Sequence, residues 1–592
     1  MTAISNGSDS FIQYQPRNSY TTRAGTAYTH GSHTIKAGVD WRILNFNEGQ
    51  NTQPSGTFNF ARTFTQGPNP NQSSQTGGFG FADLLLGTPN SGSIRQLMPI
   101  STGGRYYAFY FQDDWRVTSK LTLNIGVRYD IGTGNSEKYN RLAYFDPNTI
   151  SPLAGPAGLP NLRGVLQWIG GSNPSYTQAT PKLNFAPRFG LAYKIGPNGV
   201  LRAGYGMFYI PRNIQGNGQG AVAAFRDTPM NTTIDGGLTP VDKISNPFPN
   251  GILPALNNRD PLTNVGASIQ AATHDFKTGY TQLFSIGYQH QLPGQILVQA
   301  NYWGNKGTSL LTSSWNLNQL PNQYLALGTQ LNDQVTNPFF GLIASGGLSG
   351  RTISRRQSLL PYPQYFGDSG VQQVLVPAGN TSYHAGTLQA DKRLTGGFTL
   401  MASYTWSKAI DDISTPIDFY NRKLNKALSG FDTPHMFVGS WVYQLPFGKG
   451  RRFGNSMHRV SNAILGGWDW SGIARIQSGQ PISVSTPSLN LGRSAKLDNP
   501  SIAKWFDTSA FTNAQAFTFG NMGPRVPDVR NDFIIGIFGR EITTQFRAEC
   551  YNVTNTVQFA APNGSVTSQS FGVVTAQRNT PRQFQAGLKI RF

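Results

Sequence analysis

Arg582-Gln583-Phe584-Gln585-Ala586-Gly587-Leu588-Lys589-Ile590-Arg591-Phe592 is the stretch on which the fold turns. Phe584, Ala586, Leu588, Ile590 and Phe592 share one parity, and Gln583, Gln585, Gly587, Lys589 and Arg591 the other. Successive side chains of an extended strand point to opposite faces. The stretch therefore reads as a strand that is apolar on one side and polar on the other, ending on an aromatic residue. Any half-buried edge strand alternates in this way. What matters is whether the pattern repeats upstream, and at what spacing.

It does repeat. Strand-like segments pair at 20–29 with 32–45, 104–117 with 119–131, 183–195 with 200–210, 280–292 with 295–305 and 381–394 with 398–409. Further on come 433–446 with 464–478, then 530–538 with 541–551, followed by 569–577 and 582–592. The joints are short: Gly31-Ser32, Thr118-Ser119, Gly196-Pro197-Asn198-Gly199, Pro293-Gly294 and Gly396-Gly397. A longer link surrounds Gly448-Lys449-Gly450-Arg451-Arg452. Tight Gly, Pro and Asn turns favour hairpins. Between the hairpins run long connections near 46–103, 132–182, 211–279, 306–380, 410–432 and 479–529. Outer-membrane barrels sort their connections in this way, with short periplasmic turns and long extracellular loops. A soluble sandwich or propeller has no reason to do so, and no repeat at a propeller period is present.

The two-sidedness holds along the chain. Leu121, Leu123, Ile125, Val127 and Tyr129 oppose Thr122, Asn124, Gly126, Arg128 and Asp130. Leu201, Ala203, Tyr205, Met207 and Tyr209 oppose Arg202, Gly204, Gly206 and Phe208. Phe398, Leu400, Ala402, Tyr404 and Trp406 oppose Thr399, Met401, Ser403, Thr405 and Ser407. Aromatic residues cluster near segment ends, among them Trp115, Tyr129, Tyr193, Tyr288, Trp441 and Trp470. Rings at both bilayer boundaries form the girdles of such barrels.

Composition agrees. Hydrophobic residues are 38%, aromatics 12% and charged residues 13%, against about 25% charged in soluble domains. Mean hydropathy is −0.33. No run of about 18 apolar residues exists to form a spanning helix. Lipid satisfies no backbone polar group, so a chain that spans without helices must close into a barrel. The net charge of +20 is scattered, with no basic helix or dense run, so nucleic acid is not an expected partner. Solvated loops account for it, with contact to anionic lipopolysaccharide as a secondary effect. The single cysteine, Cys550, excludes an internal disulfide and reads as a small wall residue. Met1 to Gly7 lacks the charged start and apolar core of an export signal, so the expectation is that the beginning of the natural protein is missing.

Several strings resemble the barrel of TonB-dependent outer-membrane receptors, most closely the Oar-like group. They are Tyr106 to Val117, Leu121 to Asp130, Phe185 to Tyr193, Tyr443 to Gly450, Phe546 to Asn555 and the terminal strand. The resemblance implies an all-β, transmembrane antiparallel β-barrel of about 22 strands, filled by an N-terminal plug and energised through TonB. About 16 strands are expected here, with long extracellular loops. Residues 1–592 are expected to be the barrel domain alone, without the plug or the carboxypeptidase-regulatory-like domain of the group. The implied partners are outer-membrane lipid and lipopolysaccharide, the barrel-assembly machinery that reads the terminal strand (Phe584, Gly587, Leu588, Ile590, Phe592), an extracellular ligand, and TonB only through the missing plug.

The candidate site residues are the polar-parity charges Arg128, Asp130, Arg188, Arg202, Arg547 and Glu549. They would pair with a plug or set the charge of an open pore. Asp113-Asp114 and Asp411-Asp412 lack the ligand spacing of a calcium loop and read as solvated strand ends. Gly77 to Gly87 lacks the Gly-Lys-Ser/Thr of a phosphate cradle. His30 and His33 bracket a turn with no third ligand nearby, and no nucleophile elbow is present. No cofactor, metal or catalysis is expected. The function expected is energy-coupled uptake of a ligand bound at the loops. The alternatives are a passive porin, an adhesin or assembly barrel, or a soluble all-β binding protein.

Overall fold

The structure, a computed structural model, describes residues 12–51, 54–67, 77–97, 99–212, 225–233, 239–253, 259–343, 347–485, 487–539 and 546–588. Its frame is a series of long strands: β1 (Arg17–His30), β2 (His33–Asn51), β3 (Ile100–Arg116), β4 (Leu121–Gly132) and β5 (Phe185–Ile195). Next come β6 (Gly199–Tyr209), β7 (Tyr280–Leu292), β8 (Ile296–Thr312), β9 (Val376–Thr395) and β10 (Phe398–Asp411). The series ends with β11 (His435–Gln444), β12 (Asp469–Gln477), β13 (Ile534–Gly539), β14 (Phe546–Tyr551) and β15 (Gln583–Leu588). One sixteen-stranded sheet holds β1 to β13 in chain order, together with three short pieces at Ile12–Tyr14, Ser136–Glu137 and Ala427–Leu428. Every adjacent pair from β1 to β13 is antiparallel. β14 and β15 form a separate antiparallel pair.

Local chemistry fixes the joints. Gly396 and Gly397 both take positive φ (63° and 78°), the backbone that a two-residue hairpin needs for its twist to match the strands. Such joints occupy one rim of the sheet, and the long connections leave from the other, except the one between β11 and β12, which shares the rim of the short joints. The expected hairpins through 433–446 with 464–478 appear with bounds shifted by a few residues, whereas β13 pairs with β12 and β14 with β15, so that among the described residues β13 and β14 are not paired with each other. Residues 569–577 are not a strand. Phe571 packs into a loop core, and the neighbouring backbone is tied to other loops by Trp505 N–H to Gly572 O (3.0 Å) and Val574 N–H to Ile502 O (2.9 Å). Val573 and Val574 are adjacent, which breaks the period of two that a half-buried strand requires. Among the described residues fifteen long strands therefore stand where about 16 were expected.

The register carries one apolar row across ten strands: His33, Trp115, Leu123, Leu191, Ala203, Ile286, Tyr302, Gly386, Trp406 and His435. The row starts beside the Gly31 turn and finishes at the first residue of β11, on the opposite rim. Strands tilted and staggered in this way are what closing a sheet into a barrel demands. Among the described residues the edge of β1 is unpaired on its outer side, and β1 is exposed along all of its 14 residues. Because neighbours alternate in direction, β1 and β13 run the same way, and adding the β14–β15 pair leaves that parity unchanged. A direct seam between the two ends would be parallel.

The long connections are folded, which sequence periodicity did not indicate. Three of them, between β4 and β5, β6 and β7, and β8 and β9, share one core. Ala143, Phe145, Leu166, Trp168, Ile269, Ala271, Tyr365 and Val371 pack together there. The strand Ala143–Ile150 pairs with Arg163–Trp168, and Ile269–Ala271 lies parallel to Val371–Gln373. Phe339 and Tyr365 are fully buried in these loop cores, whereas Phe340 and Phe366 are exposed. Burial pushes the Tyr362 phenol up to about 12 and raises Tyr365 further. A second core joins the β12–β13 and β14–β15 connections through Ile482, Phe506, Phe511, Met522, Val526 and Phe571.

Candidate functional site

The side chains that can do chemistry gather on the polar face of the sheet, and their positions follow from register. Arg23 lies opposite Asp40, Asp40 opposite Ala108, and Ala108 opposite Asp130. The one-carbon side chain of Ala108, 1% exposed, separates the two carboxylates and leaves room for Arg128 to reach both. Arg128 Nε donates to Asp130 Oδ1 at 2.9 Å, and its Nη2 lies 3.6 Å from Asp40 Oδ2. Arg42 closes on Asp40 with Nε to Oδ1 at 2.9 Å and Nη2 to Oδ2 at 2.5 Å. Such a two-pronged guanidinium–carboxylate pair is among the stronger hydrogen-bonded contacts. Arg23 approaches the same carboxylate at 3.4 Å. The Tyr106 hydroxyl accepts from Arg128 Nη2 at 2.9 Å and donates to Asp130 Oδ1. Three arginines and two carboxylates thus form one cluster across β1 to β4. Farther down the same face, Asp114 accepts from Lys36 (2.6 Å), Gln112 (2.8 Å) and Asn124 (2.6 Å).

Arg128 and Asp130 are therefore brought together. Arg188 sits apart, its guanidinium 4.7 Å from the centre of the Phe208 ring, a cation–π contact. Arg202 shares that face, opposite Ala192 and Gly287. Arg547 and Glu549 lie on β14, in register with Gly587 and Gln585. Their side chains lie outside the described residues, as do the side chain of Leu588 and the whole of Ile590 and Phe592, while Gly587 is placed on β15 by its backbone alone. Phe584 stands opposite Cys550 and is exposed.

Two sequence expectations are corrected here. Asp113 and Asp114 are engaged rather than merely solvated: His33 Nδ1 meets Asp113 Oδ2 at 2.6 Å, and Asp114 holds Lys36. Asp411 and Asp412 likewise meet Arg525 (3.5 Å) and Arg422 (3.3 Å). For Asp114 and Asp411 the strand pairing or a returning loop supplies a cation that lies far away in sequence, whereas Arg422 comes from the same connection as Asp412. Gly77 to Gly87 forms a helix, α1 (Gly80–Leu86), stopped by Gly87 at φ 67°. Its Asp83 is wholly buried, and burial raises the carboxyl above its ordinary range.

Sequence reasoning missed an apolar patch on the polar face. Arg188, Phe208, Leu283, Trp303 and Tyr383 line a hollow of about 500 Å³ spanning β5 to β9. Leu283, Trp303 and Tyr383 are all more than a third exposed. The signal was available, since these large apolar residues fall on the parity otherwise occupied by Arg202, Ser285, Asn301 and Thr387.

Comparison with known proteins adds the family. The model of a family described as an outer membrane beta barrel domain matches residues 2–585. No curated protein matches. Among solved structures, the outer membrane transporter YddB from Escherichia coli is 11% identical, over 97% of this chain and 54% of that one, with a TM-score of 0.47. The ferripyoverdine receptor of the outer membrane of Pseudomonas aeruginosa, bound to ferripyoverdine, is 10% identical over 97% and 48%, with a TM-score of 0.41. The chain spans about half the length of these structures. With the family match covering nearly every residue, over a wall of antiparallel strands greasy on one side and charged on the other, the chain belongs to the outer membrane β-barrel domain family and resides in the outer membrane of a Gram-negative bacterium.

Proposed function

We propose that this chain is most of the barrel wall of a TonB-dependent receptor of the Oar-like type. The apolar face meets lipid and the polar face lines the lumen. The folded connections collect a ligand outside the cell. Arg128, Asp130, Arg188, Arg202, Arg547 and Glu549 face a gating plug or the passing ligand, and passage is driven by TonB acting on that plug. The terminal strand through Phe592 is the segment that the assembly machinery reads.

The observation that carries this reading is the polar face itself. A water-filled pore does not need the hollow floored by Leu283, Trp303 and Tyr383, whereas a protein plug packed against the wall gives such residues a partner. Strand direction adds support. With β1 and its far edge parallel, an antiparallel cylinder requires an odd number of further strands. A wall of about 22 strands leaves about seven beyond the fifteen long strands.

The test is energy dependence. A strain lacking the gene and the same strain complemented are given one growth medium, and solute depletion is followed by mass spectrometry with and without a protonophore. A receptor of this type depletes at least one solute only when the gene is present and the proton gradient is intact. Depletion that survives the protonophore means a passive porin. No difference between the strains means an adhesin or assembly barrel.

A further inference from the structure

We infer that the β11–β12 connection is a binding surface for anionic phospholipid headgroups of the periplasmic leaflet. It leaves β11 on the rim of the short turns: Gln444 N–H donates to Gly397 O of the β9–β10 turn at 2.7 Å. Short turns mark the periplasmic side of such barrels. There the other described joints are tight, whereas this one runs from Leu445 to Trp468 and carries its own helix, α2 (Arg459–Leu465).

Its chemistry is two-sided. Lys449, Arg451, Arg452 and Arg459 are its charged residues, and no Asp or Glu occurs from 445 to 468. Lys449, Arg452 and Arg459 are exposed. Interleaved with them are exposed apolar side chains: Phe447, Phe453, Val460, Ile464 and Leu465, at 45–62%. Val460 and Ile464 stand one helical turn apart, on the same side of α2. Phe447 and Phe453 pack ring to ring with centroids 5.8 Å apart. A water-facing turn would not hold so much apolar surface open. Cations beside apolar anchors are what an element lying in a headgroup layer presents.

Continuity with the lipid-facing wall sets its depth. The Trp468 indole donates to Ile464 O at 2.6 Å, tying the end of α2 to the start of β12. Just beyond, Trp470 packs against Trp441 at 5.4 Å on the apolar face. Asn462 holds the other arm, accepting from Lys449 N–H at 2.7 Å. The basic turn therefore hangs at the aromatic edge of the belt, where lipid phosphates lie. The attraction to anionic headgroups is about fivefold in affinity per cation near the surface.

The test uses the full chain in nanodiscs and native mass spectrometry, with cardiolipin, phosphatidylglycerol and phosphatidylcholine as probes. Wild type retains cardiolipin and phosphatidylglycerol over phosphatidylcholine. The triple variant Lys449→Ser, Arg452→Ser, Arg459→Ser weakens that retention about 100-fold, and Lys423→Ser on the opposite rim leaves it unchanged. Should the triple variant fail to insert, Arg452→Ser alone is expected to lose about fivefold. Equal retention of all three lipids, unaltered cardiolipin binding by the inserted variant, or an equal loss in Lys423→Ser would overturn the assignment.

Discussion

Asp40→Asn is the most informative single change in the wall. The carboxylate side chain is 8% exposed and meets Arg42, Arg23 and Arg128 at once. Asparagine keeps its shape, so no cavity forms. What disappears is the charge facing three guanidinium groups. Breaking a fully buried pair by removing one partner costs about 3–5 kcal/mol. Here the Arg42 and Arg128 side chains retain 27% and 21% exposure, so water recovers part of that loss and about 2 kcal/mol remains. Arg23, at 65% exposure, is screened and contributes little. The assay is urea unfolding of the vesicle-embedded protein, followed by tryptophan fluorescence. The midpoint should fall with an unchanged slope, which marks lost stability rather than a changed unfolded state. Arg23→Gln should move the midpoint hardly at all. The double variant Asp40→Asn, Arg42→Gln should be less harmed than the sum of its parts, with coupling of about 1–2 kcal/mol. An Asp40→Asn midpoint equal to wild type, or an Arg23→Gln loss as large, would refute the cluster as a stabilising unit.

Other expectations follow from the same geometry. Tyr106→Phe removes the hydroxyl shared by Arg128 and Asp130 and should lower stability by about 1 kcal/mol in the same unfolding assay. Gly38→Val drives a side chain into the Tyr110 ring, 2.5 Å from the Cβ position, and into Ala24 O at 2.6 Å; a loss of about 1–3 kcal/mol is expected. Burial raises the Asp83 carboxyl, so its protonated form favours the folded loop. That contribution is complete below the ordinary carboxyl range and is lost as pH rises through the raised folded value. Amide protection factors around α1, taken against the intrinsic exchange rate at each pH, should therefore rise on acidification, and Asp83→Asn should abolish that pH dependence. Cysteines placed at Thr22 in β1 and Gln585 in β15, in a Cys550→Ala background, should not form a disulfide; efficient bridging at the roughly 5.5 Å Cα spacing a disulfide requires would mean that the two edges meet directly.

Much of the wall was legible because its rule is local. A period of two and a glycine or proline at the joint suffice to place β4, β6 and β10, since each strand carries its own two faces. The site was legible only by parity. Sequence put Arg128 and Asp130 on the polar face, but their union with Asp40 depends on a register in which Ala108 falls between two carboxylates, and no single strand encodes that. The His33–Asp113 and Lys36–Asp114 pairs were hidden for the same reason. Residues 569–577 misled because β-branched and aromatic residues also fill compact loop cores, and Val573-Val574 was the overlooked warning. The core shared by the long connections escaped altogether: Phe145, Ile269 and Tyr365 come from three separate connections, and pairing between distant short segments leaves no periodic trace in any one of them.

That shared core changes how the outward surface can vary. An antibody or bacteriophage landing on it would meet one composite epitope rather than three independent ribbons. An insertion beside Phe145 would be felt at Ile269 and Tyr365, so escape from such an attacker requires concerted substitutions in segments about a hundred or more residues apart.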